Sequence, residues 1–575
     1  MKKQQRSHQA LTGKSVVKSN QLEKLRFHGE GDGELAFELR DRDLLGRIGR
    51  LTTMGGEVET PAFMPVINPI SQVISPKRMK KEFGCDIVIT NSYIIRKNFG
   101  EKPNLDVHRL LDYDGVVVTD SGAYQILVYG GVEVTQDEII DFQKGIGSDI
   151  AVILDIPTGW DVPRERVEWT VEETLRRARD ALPLIEGSRA LWVGPVQGGR
   201  HLDLVARSAK LVGDMPFQIH ALGSPTEVME RYLFPVLVDM IMAAKLNLPQ
   251  DRPLHLFGAG HPMMFSLAVA LGCDLFDSAS YALYAKDGRY LTTMGTSRME
   301  DLSYLPCSCP VCHGRSAEDL KEMTKGERER LLAEHNLHAC MTEINTIKQA
   351  IVEGSLWDLV ERRSRGHPSM TAALKRLTNY KDAIEEGTPL FKGHGVFYYD
   401  YHSLSRPEVT RYHRLLEANY SPPAGADTLL LVKAPSTRPY RMDPAYRGLR
   451  KTLSTELGEA FDGLHICFYA PPHGCIPEDL SETYPLSQYD IAEPVDEETI
   501  EFTAQSVARH IGLGGFNRIV LHQGVERLDM LVAEASREAC KKLGTIMEAS
   551  GSTHPWGEGA MRSLLALLSR PASLQ

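Results

Sequence analysis

Two groups of residues in this protein have the types and spacing to do chemistry. The first is a set of polar residues that each end a short apolar run: Asp120 after GVVVT, Asp155 after DIAVIL, Gln197 after LWVGPV and Asp277 after DLF. Two opposed carboxylates suit displacement at an anomeric carbon. One attacks to form a covalent glycosyl intermediate, and the other carries a proton to and from the leaving group. A third carboxylate beside an amide suits the edge of a nucleobase, because a carboxylate accepts from N–H groups while glutamine both donates and accepts. No phosphate-cradling Gly-x-x-x-x-Gly-Lys-Ser/Thr loop is present, so the pattern favours trading one glycosidic bond for another over chemistry driven by a nucleoside triphosphate. The second group is PCSCPVCH at 306–313, which holds three of the nine cysteines. In a protein of this length the spacing C-x-C-x-x-C reads as metal ligands rather than disulfides, and it calls for a fourth donor.

The elements that must position the first group recur with a regular rhythm. AFMPVIN (62–68), DIVITNS (86–92), GVVVTDS (115–121), DIAVILD (149–155), LWVGPVQ (191–197), PFQIHAL (216–222), PLHLFGA (253–259) and DLFDSA (274–279) are short runs rich in β-formers. Helical stretches such as ERVEWTVEETLRRARDALPLIE separate them. Eight strands alternating with helices predict a (β/α)8 barrel, whose catalytic residues come from the C-terminal strand ends. Those ends are Asn68, Asn91, Asp120, Asp155, Gln197, Gly223, Gly258 and Asp277. A doubly wound open sheet is the alternative, but no Gly-x-Gly-x-x-Gly turn follows the first strand.

At 575 residues the protein exceeds what one core sustains. We expect a disordered leader over 1–33, the barrel with its cysteine segment over 34–342, a helical extension over 343–395, an α/β accessory domain over 396–535 and a helical tail over 536–575. The accessory domain is expected around TLLLVKA, LHICFYA and RIVLHQ. A net charge of −11 argues against nonspecific wrapping of nucleic acid, though not against a local basic face. The N-terminus lacks the apolar core of a signal peptide and no run is long enough to span a bilayer, so no membrane association and a cytoplasmic location are expected.

The motifs TDSGAYQ (119–125), LDIPT (154–158), VQGG (196–199), HLFGAGHP (255–262), FDSASYALYAKDGRY (276–290), PCSCPVC (306–312) and EHN (334–336) follow one another in an order that resembles the archaeal-type tRNA-guanine transglycosylases. The resemblance is strong over roughly 34–395. It implies an enzyme that exchanges a guanine in the dihydrouridine arm of tRNA for 7-cyano-7-deazaguanine, the first step of archaeosine formation. It further implies Asp277 as the nucleophile on ribose C1′ and Asp120 as the general acid/base. Asp155, Gln197 and the Gly223 backbone would form the polar edge of the base pocket, with Ser121 beside the base and Tyr124 stacked on it in place of a phenylalanine. Cys307, Cys309, Cys312 and His335 would fill one structural Zn²⁺, and His313 and Cys340 would be bystanders. A homodimer braced near the zinc segment is also implied. Two other readings share these motifs: a transglycosylase acting on DNA, and a non-catalytic RNA-binding paralogue. Retention of both Asp277 and Asp120 favours an enzyme, and the accessory region favours RNA.

Lys286 and Arg289 of the FDSASYALYAKDGRY motif, and Arg438 and Arg441 of RPYRMDPAYRGLRK (438–451), are the expected RNA contacts. The cations of 343–385 fit either phosphate contacts or a solvated face. The 438–451 and 474–489 stretches resemble an accessory region shared with archaeosine synthase. The synthase motif requires an upstream cysteine and a lysine before Pro-Tyr, whereas APSTRPYRMD has neither, so no second amidine-forming site is expected. No PUA-type RNA-binding module is visible at the C-terminal end. Either a separate PUA-type polypeptide is a partner, or tRNA is held without one.

Overall fold

The computed structural model describes residues 37–100, 102–123 and 134–570. The expected leader and Tyr124 lie outside the described residues. Strands β4 (Ala62–Ile67), β5 (Ile87–Asn91), β6 (Val116–Asp120), β7 (Ile150–Val152), β8 (Leu191–Val196), β9 (Ile219–Leu222), β10 (Leu254–Leu256) and β11 (Leu275–Ser278) form a closed parallel barrel in sequence order. All eight coincide with the predicted runs, and closure of β11 on β4 excludes the open sheet.

Successive side chains of a strand point to opposite faces. Ile87 and Ile89, Val116 and Val118, Leu191 and Val193, Ile219 and Ala221, and Leu275 fill the barrel interior in one cluster. Val88, Val117 and Phe276 face the surrounding helices. Both faces are therefore apolar, as a parallel sheet covered by helices requires. Continuing the inward series by two residues reaches Asn91, Asp120, Gly223 and Asp277, all at the same mouth.

Three further strands precede the barrel and form an antiparallel sheet: β1 (Phe37–Asp43), β2 (Gly46–Thr53) and β3 (Gly56–Thr60). Their charged sequences, FELRDRD and GEVET among them, carry little apolar alternation, and the strand pattern did not reveal them. Phe37, Leu51 and Val58 join the barrel's interior cluster. Buried Arg47 of β2 grips Asp274 with two hydrogen bonds of 2.8 Å, and Asp274 also accepts from the Leu254 N–H at 2.8 Å. Asp274 immediately precedes β11, so this sheet closes the end of the barrel opposite the polar mouth.

After β11 the hairpin β12 (Arg289–Thr292) and β13 (Gly295–Arg298) leads into the cysteine segment and then the 29-residue helix Lys325–Glu353. The helices Leu356–Ser364 and Pro368–Leu377 add to the main core. Two of their cations are committed to ion pairs: Arg363 with buried Glu343 at 2.7 Å and Arg376 with Asp239 at 2.7 Å.

A short parallel pair, β14 (Val396–Tyr398) with β18 (Tyr489–Ile491), and a second sheet lie beyond, the sheet in the order β17 (Gly474–Pro477), β16 (Leu464–Ala470), β15 (Thr428–Lys433), β19 (Arg518–Gln523) and β20 (Ile546–Gly551). Helices Glu497–Leu513 and Arg527–Leu543 cover one face, and Pro444–Leu457 with Glu558–Leu568 cover the other. The stretch read as a helical tail is thereby corrected. IMEASG is an edge strand parallel to β19, and the helix after it packs back on the sheet. Its half-exposed position relieves it of the apolar alternation that marks a strand. Between the two sheets runs a buried network of charges. Lys392 lies 2.7 Å from Asp43 and 2.9 Å from Glu408, while Arg406 reaches Glu408 at 3.3 Å and Asp358 at 2.8 Å. No helix among the described residues is long and apolar enough to cross a membrane.

Candidate active site and metal centre

The barrel mouth gathers the carboxylates. Asp277 Oδ1 accepts from the Gly258 N–H at 2.9 Å and lies 2.8 Å from His255 Nε2. Oδ2 has no hydrogen-bond partner among the described residues, and the side chain retains 14% exposure. One oxygen is thus anchored and the other is open. Gly258 has a left-handed φ of 70°, and a Cβ there would lie 2.5 Å from Thr226 Oγ1, so glycine is needed for its N–H to meet the carboxylate. His255 is the residue that sequence reasoning missed. It is paired in register with inward-facing Ala221 and Leu275, so the two-residue period of β10 already aims it inward.

Asp120 stands directly opposite Asn91 in register. Its Oδ2 accepts from Asn91 Nδ2 at 3.0 Å and from the Gly122 N–H at 3.2 Å. Burial first, then the charges of Asp155 and Asp277, push its carboxyl up to about 7, against the opposing pull of backbone donors. Asp155 is raised to about 6 by burial, although the Gln197 amide donates to its Oδ2 at 2.6 Å. A buried carboxyl that bears its proton near neutrality, pressed by two neighbouring carboxylates, suits proton transfer beside a nucleophile.

Gln197 is oriented by its neighbours. Its Oε1 accepts from the Thr158 N–H (3.1 Å), the Thr158 hydroxyl (3.0 Å) and the Ser224 hydroxyl (3.0 Å), which leaves amide N–H capacity as what it can offer a ligand. Ser224, with a φ of 63°, joins Gln197 from the turn after β9. At Gly223 a Cβ would sit 2.2 Å from Gln197 Nε2, so the close approach demands glycine. The Gly223 N–H is spent on the Val196 carbonyl at 2.8 Å, so a ligand contact there runs through its carbonyl. Ser121 is buried and its hydroxyl donates to the Ile153 carbonyl at 3.2 Å, which turns it into the barrel wall.

The second group assembles as well. One donor atom from each of Cys307, Cys309, Cys312 and His335 lies within 4.8 Å of the others, an arrangement able to hold a metal ion. His335 Nδ1 is 3.5 Å from both Cys309 Sγ and Cys312 Sγ, and its Nε2–H donates to the Leu291 carbonyl at 2.9 Å. That bond selects the tautomer whose Nδ1 lone pair faces the sulfurs. The Tyr290 ring stacks on His335 at 3.6 Å. Cys340 is buried elsewhere, with its thiol 3.6 Å from the Gly260 carbonyl.

Residues 42–369 match the family model described as queuine tRNA-ribosyltransferase. The chain belongs to that family. It is accordingly a transferase. Curated relatives named tRNA-guanine(15) transglycosylase include that of Aeropyrum pernix, 46% identical over 83% of this chain and 92% of the relative. That of Haloferax volcanii is 43% identical over 82% and 87%, and that of Pyrococcus furiosus is 50% identical over 66% and 65%. Residues 409–568 match a domain of unknown function, DUF5591, which contains the second sheet of this family member.

The expected RNA contacts divide between the two parts of the molecule. Lys286 is exposed, while Arg289 is half-buried, lies over the Tyr284 ring and pairs with Asp287 at 3.4 Å. The Arg438 guanidinium packs 4.1 Å above the Tyr489 ring. Arg441 and Arg450 both reach Glu478, at 3.5 and 2.6 Å. Arg447 is exposed and has no ion pair among the described residues.

Proposed function

We propose that this enzyme exchanges a guanine of tRNA for 7-cyano-7-deazaguanine, as the first step toward archaeosine, through a covalent ribosyl-enzyme intermediate. The observation that carries the reading is the division of labour at the mouth: Asp277 has one anchored and one open oxygen, beside an Asp120 carboxyl held protonated near neutrality. The target nucleotide is extruded into the mouth, since a stacked base keeps C1′ out of reach. Asp277 Oδ2 attacks C1′ as the C1′–N9 bond breaks, and Asp120 gives its proton to the departing guanine. The incoming deazaguanine then loses its N9 proton to the Asp120 carboxylate. Its N9 attacks C1′, and Asp277 leaves unchanged. Asp155, the free amide capacity of Gln197 and the Gly223 carbonyl read the base edge.

Cys307, Cys309, Cys312 and His335 would hold one Zn²⁺. Three thiolates and an imidazole leave no open position, so the ion braces the segment and takes no part in the reaction. A homodimer braced near that segment, and tRNA contacts through Lys286, Arg289, Arg441 and Arg447, complete the reading. Capture of tRNA falls to these contacts alone or to a separate PUA-type polypeptide beside them. The test is release of radiolabelled guanine from preloaded tRNA on addition of 7-cyano-7-deazaguanine, with duplex DNA in parallel. Release from tRNA alone supports the reading; release from DNA, or from neither, sinks it.

A further inference from the structure

A second cysteine–histidine cluster lies inside the accessory domain, where the base-exchange chemistry makes no use of it. His465 and Cys467 are two residues apart on β16 and so share a face. After a tight return, β17 runs antiparallel to β16 with Cys475 opposite Tyr469, which places Cys475 diagonally from Cys467. Cys467, Tyr469 and Cys475 all lie in the cluster that packs under the helix Glu497–Leu513. That helix buries Ala504, Val507 and Ile511 on the sheet, and on the same side it delivers His510.

The donor atoms of His465, Cys467 and His510 all lie within 4.8 Å of one another, and the three residues are buried. His465 Nε2 is 3.1 Å and His510 Nε2 3.8 Å from Cys467 Sγ. The Cys475 thiol is buried on the neighbouring strand, diagonal to Cys467, and stands outside that 4.8 Å group. In a tetrahedral zinc site with Zn–S of about 2.3 Å and Zn–N of about 2.0–2.1 Å, sulfur and nitrogen ligands stand about 3.6 Å apart. The two separations bracket that value, and in the Cys307 cluster the distances from His335 Nδ1 to the Cys309 and Cys312 sulfurs are both 3.5 Å.

The arrangement is costly if nothing binds. His465 Nε2 and His510 Nε2, both buried, face the Cys467 thiol, a weak hydrogen-bonding group. The His465 ring is also fixed in orientation, stacked between Tyr420 (5.7 Å) and Phe516 (5.6 Å). Rigid imidazoles and adjacent thiols in a dry core are the donor set of a thiophilic cation. We infer that His465, Cys467 and His510, with Cys475 of the neighbouring strand drawn in as the fourth ligand, form a second binding site for a thiophilic cation of the zinc class, which ties β16 and β17 to the helix above them.

The test uses the full-length, untagged protein, equilibrated with zinc and passed through gel filtration. The expected ratio is two zinc ions per polypeptide. Zinc X-ray absorption should give an average of about 2.5 sulfur ligands per ion, the mean of a three-thiolate and a two-thiolate site. The double variant Cys467→Ser, His510→Gln should bind one ion, and Cys540→Ser, a buried thiol of the same domain outside the cluster, should still bind two. A wild-type ratio of one overturns the proposal whether or not the variants fold. So does a ratio of two with an average near 1.5 sulfurs, which would place the second ion on nitrogen and oxygen ligands.

Discussion

The barrel and the accessory sheet are both largely parallel β-structures covered by helices, and each carries a polar cluster, but at opposite depths. In the barrel Asp120 and Asp277 continue the inward-facing series past the last apolar layer and line a rim, with Asp155 buried beside them. In the accessory sheet His465, Cys467 and His510 lie within a strand and a helix, sealed beneath Tyr420 and Phe516. Hard carboxylates at an opening can meet a substrate and exchange protons with it. Soft donors in a closed core can only hold something that stays. Depth separates a reactive cluster from a binding one, more than residue type alone does.

The largest expected effect belongs to the rim. Asp277→Asn should bring base exchange below detection and abolish the tRNA adduct on denaturing gels while tRNA still binds; an adduct that persists would move the nucleophile to Asp120 or Asp155. Next comes Asp120→Asn, which removes the proton carrier and should slow exchange by about 10²–10⁴-fold. The wild-type kcat/KM should decline above a pH of about 7, where Asp120 loses its proton. Because the Asp155 charge helps to raise Asp120, Asp155→Asn should move that decline to lower pH. A limb that stays put, or moves upward, refutes the coupling.

His255→Leu should act through the nucleophile it positions. Losing a hydrogen bond to a charged group, typically about 1.5–3 kcal/mol, corresponds to a fall in kcat of roughly 10- to 100-fold. KM for tRNA should hold, and His255→Gln should recover part of the loss. If KM rises instead, His255 serves the fold of the mouth rather than Asp277. The smallest effect should come from the accessory domain. Arg447→Ala should lower the log–log salt slope of tRNA binding by about 0.7–0.9. Arg438→Ala, which removes a guanidinium packed on Tyr489, should change stability more than that slope. Equal slope changes from the two would mean that Arg438 leaves its ring to meet phosphate.

The same contrast governs what could be read from the amino-acid order. Asp120 and Asp277 were legible because each ends a run of β-formers, and Cys307, Cys309 and Cys312 because six consecutive positions hold all three. His255 opens the HLFGAGHP motif, but its role depends on register with β9 and β11, which no local pattern states. Ser224 gains its role only when a left-handed turn brings it to Gln197. The His465 cluster left no local signature, since its members are scattered from 465 to 510 and each alone resembles an ordinary core residue. Strands β1 to β3 and β20 escaped for a related reason: edge and capping strands need not alternate.

The charge network between the two sheets bears on what counts as one piece of this protein. Asp43 comes from the sheet that plugs the barrel, Asp358 from a helix beside the barrel, and Arg406 and Glu408 from the entry to the accessory domain. Removing one partner of a buried pair typically costs about 3–5 kcal/mol, and burial shields such pairs from salt. A barrel cut free at residue 395 would keep Lys392 without Glu408, and Asp358 without Arg406. The two parts are therefore bound to melt together, in a single cooperative transition that added salt does little to divide.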